Sequence, residues 1–503
     1  MNERKTGAFL SYINIGIQTI LGFVYVPLLL HYMGQHEYGL YQLMGSLIAY
    51  FGVMDFGLST VVVRFYSKYK ALHDTVFNEN FLGFIQRLYI YISIAVVIIG
   101  CALYFSLDFL FSHSLSVNEL VSAKYIYIFL LFNIIITLLG MMYRSVITAN
   151  EKFLFLKGLE TLQLVIQPFV VIAVMQISPT ALAMVIVMTV INCVLTVFRT
   201  YYCYHQLHLF INYHFFDWNL FRQIKPLAIS TFIVTIVDQL FWKTNQVVLG
   251  VISGTAIVAV YSIASLFYMS YMALAGAISG VFLPKITHMV VQKIPIAQLS
   301  NLFIKIGRLQ YLLLALILSG FIIFGKEFIR LWAGNNFLDA YWITLIIMVP
   351  FTVDLIQNIG LSIMQAQNTY GFRAKIYSMV GILNLVLAIP LAVKYGGIGC
   401  AAATGVSMFI GNGLIMNWYY SSVTKLDIKE FWRQIGYITC SMLICLVIGY
   451  TLNSILLQGR LYFLIVKIVI YTVVYSIIMW VTVMNSYEKG LVIQMLRKII
   501  HKK

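Results

Sequence analysis

The stretch that decides the fold is residues 225–250, KPLAISTFIVTIVDQLFWKTNQVVLG. It is long and apolar enough to cross a membrane as a helix, which takes about 20 residues. Yet Asp238 and Lys243 lie near its middle, where a charged side chain costs about 2.5–3.5 kcal/mol to insert. Such side chains normally face a water-filled cavity or a partner instead of lipid.

Polar side chains of this stretch recur every three or four residues, which places them on one face of an ideal helix. They are Thr231, Thr235, Gln239, Lys243 and Gln246. Asp238 precedes Lys243 by five residues, about 140° around the helix, so the two do not form a simple ion pair within it. The face either lines a cavity or only ties the helix to its neighbours.

The composition of the chain excludes a soluble protein. Its 503 residues are 61% hydrophobic and 10% charged, whereas soluble domains carry about 25% charged residues. The apolar runs are continuous, unlike the short alternating segments of membrane β-barrels, so we expect an all-α integral membrane protein. The six cysteines have no metal-binding spacing, and we expect neither a metal nor a cofactor.

Fourteen apolar segments divide the chain. They fall at about 8–30, 40–63, 81–107, 120–143, 153–176, 179–203, 226–251, 255–282, 302–325, 341–366, 371–393, 397–420, 431–455 and 461–484. The sequence therefore predicts about fourteen transmembrane helices. The polar connections reach only about twenty residues, which leaves no room for a soluble catalytic or ATP-binding domain.

Lysine and arginine are distributed unevenly between the two sides of this predicted topology. With the N-terminus inside, 26 of the 33 lie on the cytoplasmic side, six on the other side, and Lys243 within a span. This is the positive-inside bias, and it predicts that both termini are cytoplasmic. It also accounts for the net charge of +16 without a nucleic-acid partner.

A weak internal repeat at an offset of 220 residues suggests two related halves. GQHEYGLY (34–41) and GTAIVAVY (254–261) share their terminal Gly and Tyr, and both lie between two spans. We therefore expect two six-helix lobes around a central cavity, followed by two further helices. The predicted domains are an N-lobe (1–205), an interfacial aromatic link (206–224), a C-lobe (225–422), and a last region (423–503) ending in a basic amphipathic helix on anionic lipid.

Further polar residues within the spans are candidates for the cavity. A stripe in the first span consists of Ser11, Asn14, Gln18, Gly22 and Tyr25, and the repeat places it opposite the stripe of residues 231–246. Asp55 in the second span either lines the cavity or forms a hydrogen bond between helices, while Arg64 either snorkels or lies at the inner cavity mouth. Asp354, after Pro350, either adjoins a broken helix whose carbonyls bind a cation or substrate, or it packs helices together.

Two stretches resemble enzyme motifs, but neither supports the corresponding chemistry. Gly320–Lys326 copies most of a phosphate-binding loop, but Glu327 replaces the required Ser or Thr. Gly396, Gly397 and Gly399 open an alanine-rich span, where close helix packing explains them. No catalytic residues are predicted, and the chain is not expected to be an enzyme.

Four stretches carry a family resemblance: PLLLHYMGQHEYGLYQL (27–43), DFGLSTVVVRFYSKY (55–69), FLPKITHM (282–289) and AQNTYGFRAKIYSMVGILNLVLAIPLAVKYGGIGCAAATG (366–405). They resemble the polysaccharide flippases, the Wzx-type O-antigen and related exporters of the multidrug/oligosaccharidyl-lipid/polysaccharide superfamily. The resemblance covers essentially the whole chain. It implies a bacterial plasma-membrane protein that moves undecaprenyl-diphosphate-linked oligosaccharide between leaflets by ion-driven alternating access.

The resemblance implies roles for the candidate residues. Cavity cations would meet the diphosphate and polar groups the sugars, which assigns substrate binding to Lys243, Gln239, Gln246, Asn14, Gln18 and Arg64. Asp55, Asp238 and Asp354 are candidates for coupling to H⁺ or Na⁺. Lys243 is the one cation deep in a span, so diphosphate neutralisation depends on whether Arg64, Arg308 or Arg373 also reach inward.

Two other functions stay open, and partners follow from the resemblance. A cation-coupled multidrug antiporter would share the fold and rely on the three aspartates, and drug hypersensitivity of a deletion strain would reveal it. A membrane glycan ligase or polymerase would need a long external loop with catalytic residues. The implied partners are the lipid-linked glycan, membrane lipids and a polysaccharide polymerase with other assembly proteins.

Overall fold

The computed structural model describes residues 3–212, 218–280, 282–367, 369, 371–455 and 459–500. Across these residues every regular element is helical, which confirms the all-α membrane class. The helices are α1 (Glu3–Ala49), α2 (Leu58–Ala71), α3 (Thr75–Phe111), α4 (Val117–Ala149), α5 (Phe153–Met175), α6 (Ala181–His205), α7 (Trp218–Trp242), α8 (Thr244–Ser253), α9 (Thr255–Gly280), α10 (Leu283–Val291), α11 (Ile296–Trp332), α12 (Asp339–Leu355), α13 (Asn358–Ala366), α14 (Gly371–Met408), α15 (Met416–Ser422), α16 (Ile428–Ile455), α17 (Leu461–Thr482) and α18 (Ser486–Ile500).

Twelve helical runs within the described residues are long and apolar enough to cross a membrane. Two of these runs are much longer than one crossing requires: Gly16–Ala71 has 56 residues and Gly371–Ser422 has 52. Each contains a glycine with non-helical backbone angles, Gly34 in α1 and Gly396 in α14. The count of fourteen spans stays a prediction.

Gly34 and Gly254, the two glycines matched by the repeat, have nearly the same backbone conformation. Gly34 has φ 75° and ψ −180°, and Gly254 has φ 81° and ψ −174°. This region of backbone space is open almost only to glycine, because a Cβ would clash with the chain itself. The local conformation therefore agrees with the 220-residue offset read from the sequence.

Four of the predicted spans leave the regular α-helix, and the twelfth span does so through a π-helical turn at Phe409–Ile415. The second leaves the α-helix for a 3₁₀ turn at Tyr50–Asp55, and α2 resumes after Phe56 and Gly57, both in the left-handed region. The seventh is divided at Lys243 between α7 and α8. The tenth ends as α12 at Leu355, directly after Asp354, and restarts as α13.

The chain divides into two compact units, Met1–Ser262 and Ile263–Lys503, here the N-terminal and C-terminal units. In the N-terminal unit α1 packs on α5, and α4 packs on α6; in the C-terminal unit α11 packs on α16, and α12 on α14. The predicted lobes and their boundaries stay a prediction. Within the aromatic link, residues 213–217 lie outside the described residues, and α7 begins at Trp218.

The predicted helix at the C-terminus is present as α18 (Ser486–Ile500). Asn485 and Glu488 cap its start reciprocally: the Glu488 amide donates to the Asn485 side chain, and the Asn485 amide donates to the Glu488 carboxylate. The side chains of residues 495–500, at the basic end of this helix, lie outside the described ones. Lys502 and Lys503 also lie outside the described residues.

Candidate functional site

Lys243 lies at the junction of α7 and α8, with φ −109° and ψ −25°. Its backbone N–H still donates to the Gln239 carbonyl at 2.8 Å, so a helical hydrogen bond reaches the junction. The side chain is partly buried. Its ammonium has neither an acidic partner nor a hydrogen bond within the part of the chain that the structure describes. It is an intramembrane cation without a counter-charge.

The fully buried cations of the described chain are paired, whereas Arg199, partly buried in α6, has an unpartnered Nε. Arg308 bonds Glu488 at 2.8 Å, Arg373 lies 3.3 Å from Asp354, and Lys467 lies 3.1 Å from Glu327. Of the three arginines that could have supplemented Lys243, two are therefore engaged with carboxylates. The third, Arg64, has an exposed side chain.

Asp55 ends the 3₁₀ turn of the second span and is partly buried. Its carboxylate accepts hydrogen bonds from the Tyr89 hydroxyl at 2.6 Å and the Ser59 hydroxyl at 2.8 Å. Neither donor carries a charge, and no basic side chain within the described residues pairs with Asp55. The carboxylate is thus held in place by hydroxyl groups, with oxygen lone pairs left for a further ligand.

The interrupted part of the second span packs against α7. The ring of Phe56 stacks on that of Phe232, with centroids 4.7 Å apart. A Cβ atom added to Gly57 would lie 2.7 Å from the Thr231 side chain, so glycine is required for this approach as well as for its positive φ. One end of the predicted α7 stripe therefore meets the turn that follows Asp55.

The remaining stripe residues of α7 and α8 do not share one environment. Gln239 is partly buried, and its side-chain oxygen has no hydrogen-bond partner. Gln246 is fully buried and hydrogen-bonded to Ser46 and, at 3.1 Å, to Ser262. Because the helix restarts at Thr244, residue 246 belongs to the contact of α8 with α1 and α9. Asp238 is partly buried in α7 and makes contacts of its own.

The stripe of the first span is also divided. Asn14 is buried, donates to the Lys157 carbonyl at 3.4 Å and accepts from Thr161 at 2.6 Å, which joins α1 to α5. Gln18 is exposed, while the hydroxyl of Tyr25 is buried without a partner. The side chain of Ser11 lies outside the described ones. The substrate-binding roles of Asn14, Gln18 and Gln246 stay predictions.

Asp354 lies in a polar cluster of the C-terminal unit. Arg373, which is 6% exposed, places one nitrogen 3.3 and 3.5 Å from the Asp354 oxygens and another against Asn412. Asn412 belongs to a π-helical turn, Phe409–Ile415, a distortion common at functional sites. The negative charge of Asp354 is therefore neutralised by Arg373, whereas the partners of Asp55 are neutral hydroxyl groups.

Sequence reasoning missed the partners in these clusters. Tyr89, which is fully buried in α3, is the clearest case. A buried tyrosine hydroxyl needs a hydrogen-bond partner. The position of Tyr89 in an apolar run was the sequence signal for this need. Lys467, counted from the sequence among the six external cations, is 1% exposed within α17 and bonded to Glu327 and Asn453. No sequence spacing indicates these pairings. No cluster of His, Cys, Asp or Glu suited to a metal ion occurs among the described residues.

A comparison with protein families gives the decisive observation. The sequence profile of the family described as "Polysaccharide biosynthesis protein" matches residues 5–290, more than half of the chain. The chain belongs to the polysaccharide biosynthesis protein family. This confirms the resemblance read from residues 27–43 and 55–69, both of which lie inside the matched region.

A relative of this polysaccharide biosynthesis protein is the probable low-salt glycan biosynthesis flippase Agl15 of Haloferax volcanii, which is 30% identical over 125 residues. That match covers 25% of this chain, and the chain spans only 26% of the length of this relative.

Solved structures share the fold. The lipid II flippase MurJ in an inward closed conformation has a TM-score of 0.73 at 19% identity, covering 94% of this chain and 98% of MurJ. An inward-facing multidrug resistance MATE transporter of the MOP superfamily has a TM-score of 0.58 at 12% identity, covering 83% and 99%. The MATE transporter VcmN of Vibrio cholerae has a TM-score of 0.55 at 15% identity, covering 85% and 99%. At these identities the likeness shows the fold alone.

Proposed function

We propose that this protein flips a lipid-linked oligosaccharide, with undecaprenyl diphosphate as its lipid carrier, across the bacterial plasma membrane for surface polysaccharide synthesis. The family membership and the flippase fold support this assignment. Alternating access would expose one substrate site to each leaflet in turn. Both termini would face the cytoplasm, as the distribution of lysine and arginine predicts.

The observation that carries the proposal is the unpaired ammonium of Lys243. A cation within the membrane is costly unless it has a counter-charge or water. A diphosphate group supplies that counter-charge through charge-assisted hydrogen bonds, which are the strong ones in proteins. Because Arg308 and Arg373 already have carboxylate partners, Lys243 is the one of these three cations that can bind the diphosphate without first breaking an ion pair.

Sugar contacts would come from side chains that still have unsatisfied polar atoms. Gln239, one helical turn before Lys243, has a buried oxygen without a partner, and Gln18 is exposed. Both can bind hydroxyl groups without loss of an existing bond. Asn14 and Gln246 would have to give up helix-packing bonds, so they are weaker candidates, and the exposed Arg64 would act at the cytoplasmic mouth.

Ion coupling would rest on an acid that can bind and release H⁺ or Na⁺. Asp55 suits this role better than Asp354, because its partners are neutral hydroxyls whereas Asp354 is neutralised by Arg373. Asp238 is a further candidate within α7. In Asp55→Asn the carboxylate is replaced by an amide of equal size, which should uncouple transport from the ion gradient.

Deletion of the gene tests the assignment. We expect loss of a surface glycan and accumulation of its lipid-linked precursor on the cytoplasmic side, detected by mass spectrometry of extracted lipids. A deletion strain with a normal glycan coat would refute the flippase. Drug hypersensitivity with an intact coat would favour the multidrug antiporter instead.

Substitution of Lys243 tests the residue. Lys243→Ala should lower export about tenfold or more, since a hydrogen bond to a charged group contributes about 1.5–3 kcal/mol. Lys243→Arg keeps the charge and should retain part of the activity. Lys394→Ala, an exposed lysine in α14, is the matched control and should export normally. Full export by Lys243→Ala at wild-type protein level would remove Lys243 from the mechanism.

A further inference from the structure

A polar cleft of about 340 Å³ lies in the N-terminal unit, away from Lys243. It is formed by the α2–α3 turn, the α4–α5 turn and the segment after α6, at the end of the unit that the positive-inside bias predicts to be cytoplasmic. Small-molecule sites have volumes of about 300–1,000 Å³. Its polar lining residues are Tyr66, Lys70, His73, Asp74, Thr75, Asn78, Glu79, Asn150 and His208.

The cleft is held open by bonds between its three walls. Lys70 donates to the Asn150 side chain and links the first wall to the second. The Asn212 amide donates to the Glu79 carbonyl at 3.1 Å, and its side chain donates to Asn80 at 2.8 Å, which links the third wall to α3. The cleft is therefore a built feature of the unit, not a gap between loose loops.

Asn78 marks this cleft as a binding site. Its side chain is only 8% exposed, and its carboxamide oxygen is buried without a hydrogen-bond partner. A buried polar group left unsatisfied costs about 1–3 kcal/mol, and such groups in native proteins call for an explanation. A rotation of the Asn78 carboxamide that turns this oxygen towards the cleft would let a bound hydroxyl group donate to it and remove this cost.

The charges of the lining residues indicate the class of ligand. Asp74 and Glu79 face one lysine, and that lysine already bonds Asn150. A phosphate would meet two carboxylates here, which disfavours an anion. The described residues also lack a cluster of His, Cys, Asp or Glu that could hold a metal ion. Amides, carboxylates and imidazoles together match the alternating donors and acceptors of sugar hydroxyl groups.

Exposed apolar side chains occur within the cleft lining and next to its lining residues in sequence. Leu72, Val76 and Phe210 are 64%, 65% and 69% exposed. Exposed apolar groups beside a polar face are typical of segments that lie at headgroup depth. The exposed ring of Phe210 also offers an aromatic face, whose negative charge attracts the weakly positive C–H groups of a sugar ring.

We propose that this cleft is a carbohydrate-binding site that holds a sugar of the lipid-linked glycan at the cytoplasmic surface, before the glycan enters the translocation path. The assignment to the glycan rests on the proposed flippase function. The ligand class itself rests on the cleft: Asn78 and Glu79 bind hydroxyl groups, and Phe210 stacks on the ring.

Ligand-observed NMR tests the site on the full-length protein in lipid nanodiscs. The probes are free glucose, galactose, N-acetylglucosamine and rhamnose, with saturation transferred from the protein to bound sugar. We expect transfer to one or more of them. Asn78→Leu should weaken binding about fivefold, the effect of losing one hydrogen bond.

Gln86→Leu is the matched control. Gln86 lies in the same helix, is also 8% exposed and also has an unpartnered buried oxygen, but it lies outside the cleft. It should bind sugar as the wild type does. Asn78→Leu removes no existing bond and should fold; Phe210→Ala, at an exposed position, is a second variant that should also lower the signal.

Several results would overturn the site. They are no transfer to any sugar, transfer that survives both Asn78→Leu and Phe210→Ala, equal loss in Gln86→Leu, or displacement of the sugar by inorganic phosphate. Lys394→Ala, at an exposed position outside the cleft, should leave sugar binding unchanged. In one outcome, a strain without the gene has a normal glycan coat although the purified protein binds sugar through Asn78. That pair of results would refute the flippase function and leave the carbohydrate site supported.

Discussion

At the scale of single residues, the pairing of charges distinguishes Lys243 from the three fully buried cations. Arg308, Arg373 and Lys467 each meet a carboxylate within the C-terminal unit, so their charges contribute to packing. Lys243 has no such partner among the described residues, which leaves its charge available to a ligand. The pairing of Lys467 and Glu327 can be tested directly, because both are well buried.

Lys467→Met should lower the free energy of unfolding by about 3–5 kcal/mol, because it leaves Glu327 as a buried unpaired charge. The double variant Lys467→Met, Glu327→Gln should recover most of this loss. Thermal unfolding of the purified protein in detergent is the measurement.

The control for this prediction is Lys124→Met, which removes an exposed pair with Asp108. Exposed pairs contribute about 0–1 kcal/mol, so its unfolding temperature should change little. Equal shifts for Lys467→Met and Lys124→Met would contradict the structural role of the buried pair.

At the scale of elements, the interruptions of the helices place the polar groups. The 3₁₀ turn of the second span brings Asp55 to Ser59 and Tyr89, and the junction of α7 and α8 separates Gln246 from Gln239. Glycine conformation sets two further turns, at Gly34 and Gly254. These two positions differ in their surroundings, which allows backbone strain and steric contact to be separated.

Gly34→Ala should destabilise the protein by about 1–3 kcal/mol through backbone strain alone, since no atom lies within 4 Å of an added Cβ. Gly254→Ala should cost more, because its Cβ would also lie 2.8 Å from the Ser114 carbonyl oxygen. Unfolding temperatures of the two variants measure the difference.

Gly45→Ala is the control within α1. No atom lies within 4 Å of its added Cβ, and its φ is not positive, so alanine should be neutral or stabilising by up to about 1 kcal/mol. The strain argument fails if Gly34→Ala is as stable as Gly45→Ala.

At the scale of the whole molecule, each unit is held together by contacts between residues far apart in sequence. In the C-terminal unit Arg308 of α11 donates to both Glu488 oxygens at 2.8 and 3.0 Å, to Gln434 at 2.7 Å and to the Val483 carbonyl at 2.9 Å. Arg308 and Glu488 are 4% and 1% exposed. The start of α18 is thereby fixed to the membrane helices α11 and α16.

Glu488→Gln should release α18, because the neutral amide leaves Arg308 as a buried uncompensated cation and weakens the cap of the helix. Faster hydrogen exchange of the α18 amides, measured by mass spectrometry, is the expected result. Asp108→Asn, which removes the exposed pair with Lys124, should leave α18 exchange unchanged. Unaltered exchange in Glu488→Gln would mean that α18 is held by other contacts.

The sequence by itself determined the class of protein, its family, the helical C-terminus and the turns at Gly34 and Gly254. These features depend on local properties: hydropathy summed over about 20 residues decides membrane insertion, and a glycine conformation depends on its own backbone. The stretches that resemble the flippases lie along the chain and need no folded structure to be recognised.

Only the tertiary structure decided which polar side chains bond to neighbouring helices and which keep unpaired polar groups. Asn14 and Gln246 look equivalent to Gln18 and Gln239 on an ideal helix, yet the first two bond neighbouring helices and the last two retain unpaired groups. Lys467 meets Glu327 across 140 positions of sequence. Helical periodicity assigns a residue to a face, but its partner comes from another helix, so the availability of a charge for a ligand is a property of the packed chain.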